Sequence, residues 1–266
     1  MRKNPVNTGD HEKSHKTHHI RTGLIIACVI FVFVLNAVFI KNCISYDKKY
    51  NIEGAGFMQD EPSDSLVIIN PAQIPDYSGE DVIELRGNVP DFTIYDIDNI
   101  KGENYAQLDS LGRCGTACAR IDKSMMPTGE RGEMGNIRPT GWVQEKYPGI
   151  IDSEPPYLYN RCHLIAYMLT GRNSDERNLI TGTRHFNTEL MLTYELKVAR
   201  YLDRSDNHVL YRVTPYFKGN ELVARGVEME AYSIEDNGEG VCFHVFCYNV
   251  QPGIRIDYRT GDNRAE

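Results

Sequence analysis

The feature that most restricts this chain is residues 24–40, LIIACVIFVFVLNAVFI, seventeen positions with no charge and a single polar residue, Asn36. About 20 apolar residues carry a helix across a bilayer, and Thr22 and Gly23 extend the run toward that length. Arg2, Lys3, Lys13, Lys16 and Arg21 precede it, and the tendency of Lys and Arg to stay cytoplasmic puts everything after the run outside. The expected organisation is a basic cytoplasmic tail (1–21), a single transmembrane signal anchor (22–40), an extracellular linker (41–76) and one domain (77–266). The alternative is a signal peptide, with secretion after cleavage. Against it, Asn42-Cys43-Ile44-Ser45 offers no obvious small-x-small site, and in Ile26-Ala27-Cys28 the apolar stretch follows the cysteine instead of preceding it.

Charge divides along the same line. Residues 1–49 carry eight Lys/Arg and three acids, whereas the remainder carries 21 basic and 34 acidic residues. A protein that binds nucleic acid without sequence preference draws its affinity from phosphate neutralisation and is usually basic. If this domain acts on nucleic acid, Arg and Lys must therefore cluster at its site while acids populate the other faces. His11, His15, His18 and His19 sit in the tail and read as a solvated segment.

Five cysteines lie in the expected domain: Cys114, Cys118, Cys162, Cys242 and Cys247. The odd count leaves at least one unpaired unless Cys43 or a second chain takes part. Cys242 and Cys247 are five apart, so on one strand they face opposite ways and cannot join. No Cys-x-x-Cys pair supports a structural zinc site, and within the expected domain no His-Glu-x-x-His pattern supports a metalloprotease; the one such spacing in the chain, His11 to His15, lies in the basic tail.

The linker mixes charges with Gly, Pro and Ser and shows no sustained period. Beyond it, short strand-like runs alternate with turns: DFTIYDI, RCGTACARID, the pair HVLYRVTPYF and ELVARGVEMEAYSI around Lys218-Gly219-Asn220, and VCFHVFCYNVQ. A loop, MMPTGERGEMGNIRPTGW, follows the second of them. One helix is expected to start near Asn187, with Met191, Tyr194, Val198, Tyr201 and Leu202 at helical spacing. This pattern implies an α+β fold with an antiparallel sheet.

The chemistry concentrates in residues 159–195, YNRCHLIAYMLTGRNSDERNLITGTRHFNTELMLTYE. Phosphodiester hydrolysis needs a base for water, a cation for the developing charge and help for the leaving oxygen. His163 suits the base, the Asn187 amide oxygen and Glu195 suit a hydrated magnesium ion, and Arg161 or Arg184 suits phosphate. On a straight α-helix Asn187 and Glu195 stand about 80° apart, close enough to share a cleft. Spacing alone leaves the bland reading open: His163 as a hydrogen-bonded structural residue, Asn178 in a turn and Asn187 as a helix cap. A Cys162 nucleophile activated by His163 is geometrically poor, because neighbours on a strand point apart.

Asn160-Arg161-Cys162-His163 resembles the Asp-Arg-Gly-His motif of the DNA/RNA non-specific endonucleases, the ββα-metal nucleases that include membrane-associated nucleases of bacterial DNA uptake. Asn178 and Asn187 fall nine apart, as in the family's segment leading to its metal-binding Asn, and Glu195 takes the helix position of its acid. YAQLDSLGRCGTACA, RPTGW (138–142) and VQPGIRIDYRTGD (250–262) resemble further blocks, so the likeness covers roughly residues 77–262.

The resemblance implies a central antiparallel sheet flanked by helices, with a ββα-metal finger. It implies His163 as general base, Asn187 as direct Mg2+ ligand with Mn2+ as a substitute, and Glu195 acting through water. Arg161 and Asn178 would position phosphate or the metal site, Asn160 would adjoin the substrate, and Arg184 and Arg138 are further substrate contacts. The implied activity is extracellular cleavage of DNA and RNA to 5′-phosphate ends from a single-pass bacterial membrane protein, with DNA-uptake machinery as a partner. A non-catalytic surface module on the same fold, binding nucleic acid or another partner, is the alternative. The sequence departs from the motif at Asn160, which replaces Asp, and at Cys162, which replaces Gly.

Overall fold

Alternation of apolar and polar residues builds the main sheet. In β3 (Ala117–Ile121), Ala117, Ala119 and Ile121 are buried while the residues between them are half-buried, the period-two pattern of a strand packed on one face. β3 pairs antiparallel with β6 (Val209–Tyr216), β6 with β7 (Gly226–Ser233), and β7 with β8 (Cys242–Tyr248). The short strands β1 (Val82–Glu84) and β2 (Glu103–Tyr105) complete a six-stranded sheet in the order β1-β8-β7-β6-β3-β2. This computed structural model describes residues 74–266. The expected tail and anchor, and residues 41–73 of the linker, lie outside the described residues. Among the described residues no helix is long and apolar enough to cross a membrane. Ile74, just ahead of the expected domain start, is buried against Phe246 and Tyr248.

The inner face of the sheet packs against a ββα unit. Its hairpin joins β4 (Tyr159–His163) to β5 (Leu179–Thr183), with Asn160 opposite Gly182 and Cys162 opposite Ile180. The connection between them holds the short helix α2 (Tyr167–Thr170). After β5 the chain enters a π-helical segment, Phe186–Met191, which runs directly into α3 (Leu192–Asp203). Phe186, Met191, Val198 and Leu202 are fully buried in one cluster with Tyr211, Met229 and Val245 of the sheet. Each such side chain contributes roughly 1.5–3 kcal/mol through burial. β9 (Ile254–Ile256) and β10 (Asn263–Ala265) form a separate two-stranded ribbon.

Two local readings are corrected. The run DFTIYDI forms no strand; it leads into helix α1 (Ile94–Asn99), which starts with a capping box. The Asp96 backbone N–H donates to Thr93 Oγ1, and the Asp96 carboxylate accepts from the Thr93 backbone N–H. Reciprocal capping of this kind satisfies donors that would otherwise be orphaned at a helix start. The expected helix at Asn187 begins in π form, and its α portion starts only at Leu192.

Candidate active site

His163 ends β4, and the alternation of the strand sends it and Cys162 in opposite directions. Cys162 enters the core, where its Sγ lies 3.3 Å from Met191 Sδ and burial pushes its thiol well above the usual range. Diagonally across the hairpin stands Gly182, where any Cβ would fall only 2.7 Å from the Cys162 Cβ. A bare backbone at Gly182 thus makes room for a side chain at 162. His163 instead faces a cavity of about 740 Å3 whose wall also includes Asn160, Arg161, Arg184, Asn187 and Glu195.

The imidazole is held at both nitrogens. Nε2 lies 3.0 Å from the Asn173 backbone oxygen, and a carbonyl can only accept, so Nε2 carries the proton. In the neutral ring Nδ1 then presents a lone pair, to which Arg131 Nη2 donates at 3.3 Å. Burial pushes the His163 pKa down to about 4; the Asn173 bond opposes that shift and the Arg131 charge reinforces it. The ring is accordingly neutral at pH 7. Asn173 also fixes Arg131, since its Oδ1 accepts from Arg131 Nε at 2.9 Å. Neither Asn173 nor Arg131 was singled out from the sequence. They come from two loops, 41 residues from Gly132 to Asn173 in one of their contacts, and no local pattern marks them.

Asn187 and Glu195 reach the same cavity from one helical rod. A π turn takes up one more residue than an α turn, so their eight-residue spacing acts like about seven α steps, roughly 20° apart. Glu195 is only 7% exposed. Burial alone pushes its carboxyl up to about 8, with no cation or donor among the described residues to offset it. A buried carboxylate costs several kcal/mol unless a cation or donors satisfy it. The pair of an amide oxygen and an unpartnered carboxyl therefore fits a divalent ion with oxygen ligands.

Three guanidinium groups, Arg131, Arg161 and Arg184, line this cavity in a domain with an acidic balance. Arg161 Nε donates to the Ile137 oxygen at 2.5 Å, and its guanidinium lies 5.3 Å from the Trp142 ring centre.

A family model described as DNA/RNA non-specific endonuclease matches residues 93–235, more than half of the chain. The chain belongs to the DNA/RNA non-specific endonuclease family. A deoxyribonuclease of Streptococcus dysgalactiae subsp. equisimilis is 33% identical over 111 residues, which span 40% of this chain and 32% of that relative. The match thus covers about a third of the relative's length. The NucA structure from Streptococcus agalactiae with magnesium bound aligns at a TM-score of 0.61 and 26% identity, covering 70% of this chain and 88% of NucA. The Sda1 nuclease with bound zinc aligns at 0.54 and 29% identity, covering 63% and 83%. These likenesses agree with the antiparallel sheet and helices of this endonuclease-family domain.

Two candidate substrate contacts of this family member stand elsewhere. Asn178 is fully buried: its Oδ1 accepts from Ile165 N at 2.8 Å, and its Nδ2 donates to Ile165 O at 3.0 Å. It closes the β4–β5 connection and is not among the residues lining the cavity. Arg138 is exposed and is absent from the residues lining the cavity.

Proposed function

We propose that this chain is a metal-dependent, sugar-nonspecific endonuclease that hydrolyses DNA and RNA and leaves 5′-phosphate and 3′-hydroxyl ends. The observation that carries the reading is one cavity holding a neutral imidazole with a fixed tautomer beside an amide oxygen and an unpartnered carboxyl. The Nε2 proton stays with the Asn173 carbonyl, so Nδ1 takes the proton from the attacking water. Water and the scissile phosphate enter as Arg131 leaves that lone pair, which frees its charge for a phosphate oxygen. Arg161 and Arg184 contribute positive charge to the same wall.

Asn187 and Glu195, the latter through water, would hold a divalent cation, which supplies charge to the pentacovalent phosphate and the leaving 3′ oxygen. We favour Mg2+, which keeps several waters, with Mn2+ as a substitute. NucA with magnesium and Sda1 with zinc support a divalent ion. The apolar run at residues 24–40 and the basic residues ahead of it support a single-pass bacterial membrane protein with its catalytic domain outside. Degradation or uptake of external DNA, in contact with uptake machinery, is the corresponding role.

The test is nicking of supercoiled plasmid by the detergent-purified full chain. Activity should require Mg2+ or Mn2+, stop with EDTA, and fall by about 10²–10⁴-fold in His163→Ala. Intact plasmid at all concentrations of both metals, with retained salt-sensitive DNA binding, would instead select the non-catalytic module.

A further inference from the structure

The outer face of the sheet, which faces away from the ββα unit, carries a rung of side chains unlike the apolar inner face. Arg212 of β6, Glu230 of β7 and His244 of β8 are cross-strand neighbours, and all three are nearly inaccessible. Glu228 stands two residues from Glu230 on the same face and is half-buried, leaving one side of the group open to water.

We propose that His244, Glu228 and Glu230 form a second divalent-metal site, suited to zinc and separate from the nuclease centre. His244 Nε2 lies 2.5 Å from Glu228 Oε1 and 3.8 Å from Glu230 Oε1, and one donor atom from each residue lies within 4.8 Å of the others. Zinc takes nitrogen and carboxylate oxygen at about 2.0–2.2 Å, which places tetrahedral ligands roughly 3.4 Å apart. Shifts of a few tenths of an ångström to about one ångström reach that geometry from the observed distances.

The surroundings match what a ligating imidazole requires. His244 Nδ1 donates to the Val89 carbonyl at 3.0 Å, and Nε2 donates to Glu228; an ion displacing that second proton would receive the Nε2 lone pair while the Nδ1 bond stays in place. A ring anchored through its other N–H to a carbonyl is the usual support of a metal-binding histidine. Glu230 is oriented in the same way: Oε2 accepts from Arg212 Nε at 2.7 Å, and Oε1 accepts from the Asp91 backbone at 2.6 Å. Arg212 balances one of the two carboxylates. The second requires another positive charge, which a metal ion provides without leaving the low-dielectric face. Three protein ligands leave a fourth position for water on the Glu228 side. Because Val89 and Asp91 both bond to the group, the ion would also tie the segment ahead of α1 to the sheet.

The experiment measures zinc bound to the full chain by equilibrium dialysis and elemental analysis. Relative to wild type, Glu228→Gln and His244→Gln should each lose one equivalent, while Asn187→Ala at the nuclease centre should retain it. Glu228 lies at the open side, so its amide variant keeps the fold where a change at the buried His244 does not. Cobalt added to the Asn187→Ala protein should give the intense visible band of a tetrahedral site, absent once Glu228→Gln is added. Wild-type stoichiometry in both the Glu228→Gln and His244→Gln proteins would overturn the proposal and leave a proton on His244 as the balancing charge. That outcome is independent of whether Asn187→Ala abolishes nicking.

Discussion

His163 Nε2 donates to the Asn173 carbonyl across 3.0 Å, and this bond decides which imidazole nitrogen is free to accept a proton. Burial keeps the ring neutral, and the carbonyl selects the tautomer. The general base of the proposed mechanism is thereby preset in its neutral form.

One consequence is an acid-shifted pH profile. The His163 pKa falls from 6.5 to about 4, so kcat/KM should persist below pH 6 and drop only as the ring protonates near 4. The unfolded chain takes up this proton first, so stability is lost as pH falls from 6.5 toward 4, by up to about 3 kcal/mol. Urea unfolding in EDTA should show that slope in wild type and lack it in His163→Gln.

Arg131 is predicted to contribute to the depression, because its charge opposes protonation of the ring. In Arg131→Ala the His163 pKa should rise while staying below 6.5, since burial is the larger cause. NMR titration of the His163 ring measures it; an unchanged value would separate Arg131 from the base.

Glu195 has the opposite sign. Its pKa is raised from 4.5 to about 8, so the folded state holds a proton that the unfolded state releases, and stability falls as pH rises between those values. Glu195→Gln in EDTA should remove this fall and be more stable than wild type at pH 8. It should also lose about 10–100-fold in metal affinity or activity, as for groups that orient metal-bound water. A wild-type metal requirement in this variant would remove Glu195 from the site.

Asn178→Ala should unfold more easily by about 1–3 kcal/mol, because the Ile165 backbone N–H and carbonyl are both left buried without partners. Below its transition temperature it should cleave plasmid with wild-type KM. A raised KM with unchanged Tm would restore Asn178 to substrate binding.

Much of this molecule follows from local rules. The β-branched and aromatic residues of VCFHVFCYNVQ and HVLYRVTPYF, set between turns, marked β8 and β6, which are buried along nearly their whole length. Strand geometry also separated Cys162 from His163 without coordinates. The Thr93–Asp96 capping box was legible too, yet the β-prone residues of DFTIYDI obscured it.

The sequence by itself determined the residue types and their order: the Asn160 to His163 motif, Asn187, Glu195 and the family to which they belong. Tertiary structure decided their roles. Burial set the opposite pKa shifts of His163 and Glu195, the Asn173 loop chose the tautomer, and Gly182 made space for Cys162. The π turn brought Asn187 toward the face of Glu195, while packing withdrew Asn178 into the connection. Each of these depends on groups distant in sequence meeting where water is excluded, and neither periodicity nor spacing encodes such a meeting.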